Sequence, residues 1–202
     1  MATATIKLGP ADHGRRMSRE EYEAASGEEG YRYELIRGRV YVTAAPNMPH
    51  GHIVWWLNLR LFMYSQSHPG VIDYIHFQSR VFVPDPDDET IPEPDLAAYP
   101  NVPAVEGPRD LRWDDYSPVL VVEVVSDDDP GKDCERNVDL YLQVPSIREY
   151  WIIDPRKDSK CPSLRVYRRR GQRWQKPIDV PGGGTYTTKL LPDFELVLDV
   201  RR

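Results

Sequence analysis

The stretch Val119-Leu-Val-Val-Glu123-Val-Val-Ser126 decides how this chain is read. It is short, almost wholly apolar and rich in valine, the pattern of a strand buried on both faces. One carboxylate, Glu123, stands in its middle. An ionised carboxylate there is costly unless a basic side chain or a metal meets it. Upstream, Pro94-Asp95-Leu-Ala-Ala-Tyr99 predicts a second apolar strand with Asp95 at its mouth. Two acidic groups entering neighbouring strands offer hard oxygen ligands on a rigid floor, a common way to build a hydrolytic divalent-metal site. The competing reading is a structural glutamate held in a salt bridge, and the strand alone does not separate the two.

Around this pair lies an ordinary globular composition. The 202 residues are enough for one sizeable domain and too few for two comfortable ones. With 40% hydrophobic and 29% charged residues, the expectation is one soluble domain over 1–202. The net charge of -6 argues against nonspecific nucleic-acid binding through a basic face, although a local basic patch can coexist with an acidic whole. Cys134 and Cys161 have no CxxC partner and read as reduced, incidental thiols. The N-terminus lacks the continuous apolar core of a secretory signal. No run approaches the ~20 apolar residues of a membrane span. The expected location is the cytoplasm, with no membrane partner.

Residues 1–16 read as a loose tail. Ser18 and Glu21 make a capping box that opens a short helix, and Tyr33 to Val42 reads as a hairpin about Arg37-Gly38. His50 through Ser67 carries apolar residues at helical spacing and stops at Pro69-Gly70. Val71 to Val83 reads as a strand. Asn101 to Pro118 is a long proline-bearing connection that suggests function or a partner contact. Lys132 to Leu142 shows helical spacing, and Glu149 to Asp154 is another buried strand. Leu164–Arg170 with Gln172–Ile178 predicts a hairpin about Gly171, and Phe194–Leu198 a last strand. The fold class is α/β (α+β): a mixed β-sheet flanked by helices, with an N-terminal helix and β-hairpin and a C-terminal hairpin.

This order resembles the restriction-endonuclease-like fold, and more narrowly the Uma-two family of the PD-(D/E)XK nuclease superfamily. The resemblance is carried by Tyr33-Glu34-Leu-Ile-Arg-Gly38, Pro46 to His50, Pro94-Asp95-Leu-Ala, Val122-Glu-Val-Val-Ser126, Asp133 through Tyr141, Glu149-Tyr-Trp-Ile-Ile-Asp154-Pro155 and Leu191 to Leu198. It covers residues 18–200. It implies a metal-dependent hydrolase, an endonuclease acting on DNA with Mg²⁺, Mn²⁺ being an alternative, and a homodimer. Asp95 matches the acid of the first half-motif and Glu123 that of the second. The backbone carbonyl of Val124 is the further metal ligand implied, and Glu34 matches an early glutamate that binds metal or positions water. One departure stands out. The superfamily lysine two residues after the acid is here Val125, and the position to which the Uma-two family moves it is Asn137. Asparagine donates a hydrogen bond but brings no charge. Helical rotation of ~100° per residue places neither Lys132 nor Arg136 on the Asn137 face. The alternative function is therefore a weakened or inactive nuclease fold serving as a DNA-binding or regulatory module.

Other residues carry weaker signals. His50 and His52, at i and i+2, point to different sides of a helix, so capping or structural roles are favoured over a metal pair, although the resemblance puts His50 in a loop beside the site. Asp127-Asp-Asp129 lacks the spacing and glycine of a calcium loop and reads as a solvated turn. Arg168-Arg-Arg170 with Arg173 and Lys176 could meet DNA phosphates, but protection of an edge strand is favoured. Gly182-Gly-Gly184 has no following Lys-Ser/Thr, and Trp55, Trp56 and Trp151 read as core or dimer contacts.

Overall fold

Leu120–Val124 is the centre of a mixed sheet, and all five of its side chains are buried. The computed structural model describes residues 6–84, 89–102, 112–126 and 130–202. The N-terminal part contains β1 (Lys7–Leu8), α1 (Arg19–Ala24), β2 (Ser26–Gly27), β3 (Tyr31–Ile36), β4 (Arg39–Ala44) and α2 (Met48–Ser67). The central part contains β5 (Tyr74–His76), β6 (Leu96–Tyr99), β7 (Leu120–Val124), a π-helical turn (Lys132–Arg136) running into α3 (Asn137–Leu142), and β8 (Glu149–Asp154). The chain closes with β9 (Ser163–Arg170), β10 (Arg173–Trp174), β11 (Ile178–Val180), β12 (Thr185–Thr187) and β13 (Glu195–Val197).

The main sheet runs β10-β9-β8-β7-β6-β5, with β11 also pairing β9. Among the described strands of this sheet only β7 and β8 pair in parallel, so the chain between them must cross over, and that crossover carries the π turn and α3. Side chains alternate across the sheet. Leu120, Val122 and Val124 face α2, where they pack with Ile53, Leu57, Trp151 and Ile153. Val121 and Val125 face α3 with Ala97, Leu140, Tyr141 and Tyr150. Glu123 lies between them in the alternation and therefore shares the α3 face. Fully burying each such apolar side chain contributes about 1.5–3 kcal/mol.

Local signals explain the elements around this core. Ser18 Oγ accepts from the Glu21 N–H and Glu21 returns a bond to the Ser18 N–H, so the capping box starts α1. Asn47 accepts from the His50 N–H and starts α2. The β3–β4 loop has Arg37 at φ 50° and Gly38 at φ 65°, the paired positive values of a tight hairpin turn. This hairpin is a separate two-stranded sheet that Leu35 ties to Ile91, above a small core with Leu8, Met17, Tyr22 and Val40.

Several expectations change. Residues 6–16 are not a loose tail: β1 pairs with β2 and Leu8 is buried. The strand expected over Val71–Val83 is confined to Tyr74–His76, because Gln78 takes φ 52°, outside any strand conformation. The C-terminal hairpin forms, but β9 has neighbours on both sides, so Arg168–Arg170 protects no edge. Instead Arg169 Nη2 donates to the carbonyls of Tyr141, Leu142 and Val144 at 3.0, 2.8 and 2.9 Å, capping α3. Its guanidinium also lies over the Trp174 ring. Trp56 and Trp151 are core residues, whereas Trp55 is exposed. Cys134 and Cys161 are free thiols. The Asp127–Asp129 turn and residues 103–111 of the proline-bearing connection lie outside the described residues.

Candidate active site

The register of β6 on β7 pairs Leu96 with Val122, so Asp95, one residue earlier, falls opposite Glu123 on the α3 face. Each carboxylate is fastened to the other's strand. The Asp95 N–H donates to Glu123 Oε2 at 3.1 Å, and the Val124 N–H donates to Asp95 Oδ2 at 2.8 Å. Both side chains are buried, and both line a cleft of about 1120 Å³ that also takes in Arg32, His50, Lys132, Asp133, Arg156 and Lys157.

Asp95 is held ionised. Arg32 Nη1 donates to its Oδ1 at 2.5 Å, and His50 Nε2 lies 3.0 Å from its Oδ2. Burial alone would raise this carboxyl, but the His50 hydrogen bond and the charges of His50 and Arg32 outweigh it and hold it at about 2. His50 Nε2 also lies 3.1 Å from the Val124 carbonyl oxygen. The Asp95 and Val124 oxygens thus converge on a single atom.

Glu123 is in the opposite condition. Its Oε1 accepts from Asn137 Nδ2 at 2.9 Å and from the Tyr141 hydroxyl at 2.8 Å. Burial is the main force on its carboxyl; Lys132 opposes it, the Asp95 and Glu34 charges add to it, and the group is pushed up to about 7. Asp133, on the π turn, is pushed up to about 9, first by burial and then by the Glu123 charge. Its Oδ1 is buried and has no hydrogen-bond partner among the described residues.

Glu34 reaches the site through cations. Its oxygens meet Lys132 Nζ at 3.2 Å and Arg136 Nη2 at 2.8 Å, and the Glu93 N–H donates to it at 3.1 Å. Burial would raise it, but Lys132 and Arg136 prevail and hold it below the ordinary carboxylate range. Here the helical-rotation expectation fails. Lys132–Arg136 is wound as a π turn, in which the Asn137 N–H bonds the Lys132 carbonyl five residues back. The wider turn brings Lys132, Asp133, Arg136 and Asn137 into one acidic neighbourhood.

This arrangement can be set against known proteins. A family model described as "Putative restriction endonuclease", Uma2, matches residues 19–201. The chain belongs to the Uma2 family. A crystal structure described as a "putative nuclease belonging to DUF820" from Anabaena variabilis has the same fold, with a TM-score of 0.65 and 17% identity. The match covers 92% of this chain and 96% of that one. No curated protein matches.

Of the residues read from sequence, Asp95, Glu123, Val124 and Asn137 come together in this Uma2 chain, and Glu34 stands behind them, joined through Lys132 and Arg136. His50 proves to be part of the site rather than only a helix-starting residue. Arg32 escaped the sequence reading, Lys132 and Arg136 were weighed there and set aside, and Asp133 was read only as the start of the Asp133–Tyr141 stretch. Arg32 had a signal, since it sits two residues before Glu34 and so shares its strand face. Lys132 and Arg136, spaced i and i+4, could have been paired on one face. Asp133 gave no signal of its own.

The donor set suits a hard divalent cation. Mg²⁺ is usually bound through one or two carboxylates and keeps several waters. Asp95 and the Val124 carbonyl already converge, Glu123 stands opposite, and Asp133 Oδ1 is an unpartnered buried oxygen in the same cleft. Among the described residues no group of three or more His, Cys, Asp and Glu side chains could hold a metal ion, so any such site here draws on the backbone and water.

Proposed function

We propose that this Uma2 chain is an endonuclease that hydrolyses DNA phosphodiesters with Mg²⁺ or Mn²⁺. One observation carries the reading: two buried carboxylates on adjacent strands share a face at the floor of a cleft, where Asp95 Oδ2 and the Val124 carbonyl meet at one atom. Asp95, Glu123 and Val124 would hold the ion. When bound, the ion supplies a water of lowered pKa and offsets charge growing on the phosphoryl oxygens. Arg32, through Asp95 Oδ1, and Asn137 with Tyr141, through Glu123 Oε1, fix the two carboxylates. Arg32, Lys132, Arg156 and Lys157 bring basic side chains into the cleft of an acidic protein, which favours a phosphate backbone there.

The test is nicking of supercoiled plasmid by wild type and Glu123→Gln with Mg²⁺, Mn²⁺ or chelator. Expected is metal-dependent nicking that drops at least about a hundred-fold in the variant. Equal rates in the two proteins would count against the reading. Mg²⁺ binding without any cleavage would favour the DNA-binding module.

The same proposal takes the protein as a homodimer joined through α2. Trp55, Leu59, Phe62 and Met63 are exposed at helical spacing, Trp55 by 56% and Phe62 by 52%. An apolar helix stripe is self-complementary across a two-fold axis. Light scattering is expected to give twice the monomer mass for wild type and the monomer mass for Trp55→Glu/Phe62→Glu. A monomeric wild type would remove the dimer.

Among the described residues no helix is long and apolar enough to cross a membrane.

A further inference from the structure

The cleft above the two carboxylates has unlike walls, and the difference bears on which form of DNA enters it. We propose that the cleft takes a single strand, its bases against His13 and Tyr41 and its phosphates along the β8–β9 loop. This inference rests on the nuclease reading and names the form of substrate that the same site accepts.

One wall runs from Tyr41 to Pro46, at the end of β4 and into the connection to α2, with His13 at its rim. Residues 41–49 carry no charged side chain. The opposite wall is the loop 155–159, where Arg156, braced by Asp154 at 2.7 Å, stands beside the exposed Lys157 and Asp158. A duplex presents phosphates on both flanks of each groove, so a wall without a cation suits it poorly. A single strand has bases along one side and phosphates along the other, and it is held by cations for the phosphates and aromatic rings for the bases. The floor argues the same way. Asp95 and Glu123 are 3% and 1% exposed, so a phosphate reaches them only by entering a cleft of about 1120 Å³. A duplex lying across the rim would meet the outside of a protein whose net charge is -6.

His13 is placed for stacking. Its Nδ1 lies 3.2 Å from both the N–H nitrogen and the carbonyl oxygen of Val42. Its ring meets the Tyr41 ring edge-on, with centroids 5.3 Å apart, and the Arg136 guanidinium lies over Tyr41 at 5.1 Å. Both rings are therefore fixed. A simpler view makes His13 a peg that fastens the N-terminal segment to β4. Three backbone hydrogen bonds already do that: Gly14 N–H to the Val40 carbonyl, Val40 N–H to the Arg15 carbonyl, and Met17 N–H to the Gly38 carbonyl. The imidazole is left exposed at the rim. A ring held in place beforehand loses little freedom when a base stacks on it.

The experiment measures binding at pH 8 with Ca²⁺ in place of Mg²⁺. The probes are a DNA single strand carrying 2-aminopurine, the same sequence as a blunt duplex, and the same sequence as RNA. The DNA single strand should bind at least about ten-fold more tightly than the duplex, and stacking should quench its 2-aminopurine emission. His13→Ala and Tyr41→Leu should each weaken single-strand binding by about five-fold or more and restore the emission, while Tyr41→Phe behaves as wild type. Neither loss should change the slope of log K against log[salt], whereas Lys157→Ala should reduce it by about 0.7. A ring that only fastens the N-terminal segment would leave the emission quenched when it is removed. His13 is exposed, so His13→Ala carries the test if melting curves show that Tyr41→Leu does not fold. Duplex bound as tightly as the single strand overturns the inference, as does His13→Ala within about two-fold of wild type with quenching intact. Tighter binding of the RNA overturns the choice of DNA. Absence of metal-dependent cleavage of either DNA form overturns the nuclease reading instead, and the binding data then decide alone what the cleft holds.

Discussion

Asp95→Ala is expected to destabilise the metal-free protein by about 3–5 kcal/mol at pH 7, the cost of breaking a buried ion pair from one side. In a chain of this length that is roughly a 10 °C fall in melting temperature. The variant takes the Asp95 acceptor from Arg32 Nη1 and the Val124 N–H and leaves His50 Nε2 only the Val124 carbonyl. A smaller effect is expected from acid. The Asp95 carboxyl sits at about 2, below its ordinary 3.8, so its contribution is complete above pH 4 and is lost as the pH falls through 2. That contribution is about 2 kcal/mol, at 1.36 kcal/mol per pH unit. Acid costs less than alanine because a protonated carboxyl still accepts hydrogen bonds, whereas alanine accepts none. Urea unfolding at pH 7 and pH 3 measures both. An alanine variant as stable as wild type at pH 7 would show that Arg32 and His50 find other partners, and the site would not be the preorganised floor described. Loss of cleavage in Asp95→Ala would therefore mix two causes, which makes Glu123→Gln the cleaner control for catalysis.

Much of the floor was legible in the sequence because it depends on period-2 alternation. A valine run with one glutamate fixes a buried strand, and an aspartate at the mouth of the next apolar run falls opposite it once the two pair. Asn47, Ser18 and Arg37-Gly38 are short-range devices and behave as their local chemistry requires. What could not be read depends on geometry that the sequence does not announce. A π turn and an α-turn have the same residue pattern, yet only the π turn bonds the Asn137 N–H to the Lys132 carbonyl. Arg32 reaches Asp95 from a hairpin outside the main sheet, a contact set by the tertiary fold. Arg169 looked like surface charge until the carbonyls ending α3 appeared beneath it. Glu149 makes the contrast with Glu123 plain. It too is a buried carboxylate on a central strand, but Trp151, Tyr186 and Thr188 donate to it and it does not line the cleft. Sequence shows two similar glutamates, and their neighbours make one structural and the other a candidate for chemistry.

Glu123→Gln is expected to cross wild type in stability as the pH rises. The folded protein holds the Glu123 proton up to about pH 7, while the unfolded chain gives it up near the ordinary value of 4.5. Between those limits the folded state binds more protons, so wild-type stability falls with rising pH and stays lowered above 7. At 1.36 kcal/mol per unit the fall is about 3 kcal/mol. Glutamine has no proton to lose and lacks this slope. It carries a cost of its own, because Glu123 accepts three donors, from Asn137, Tyr141 and the Asp95 N–H, and an amide nitrogen can accept none. One stranded donor costs about 1–3 kcal/mol at every pH. The variant should therefore be the less stable protein at pH 5 and equal to or more stable than wild type at pH 8. Divalent metal should reverse the order at pH 8, since wild type gains about 2.7 kcal/mol at a concentration a hundred times its dissociation constant and the variant gains little. Unfolding curves at pH 5 and pH 8, with and without Mg²⁺, separate the possibilities. If the variant is less stable by the same amount at both pH values, with no effect of Mg²⁺ on either protein, Glu123 is a paired structural carboxylate and the metal site is lost with it.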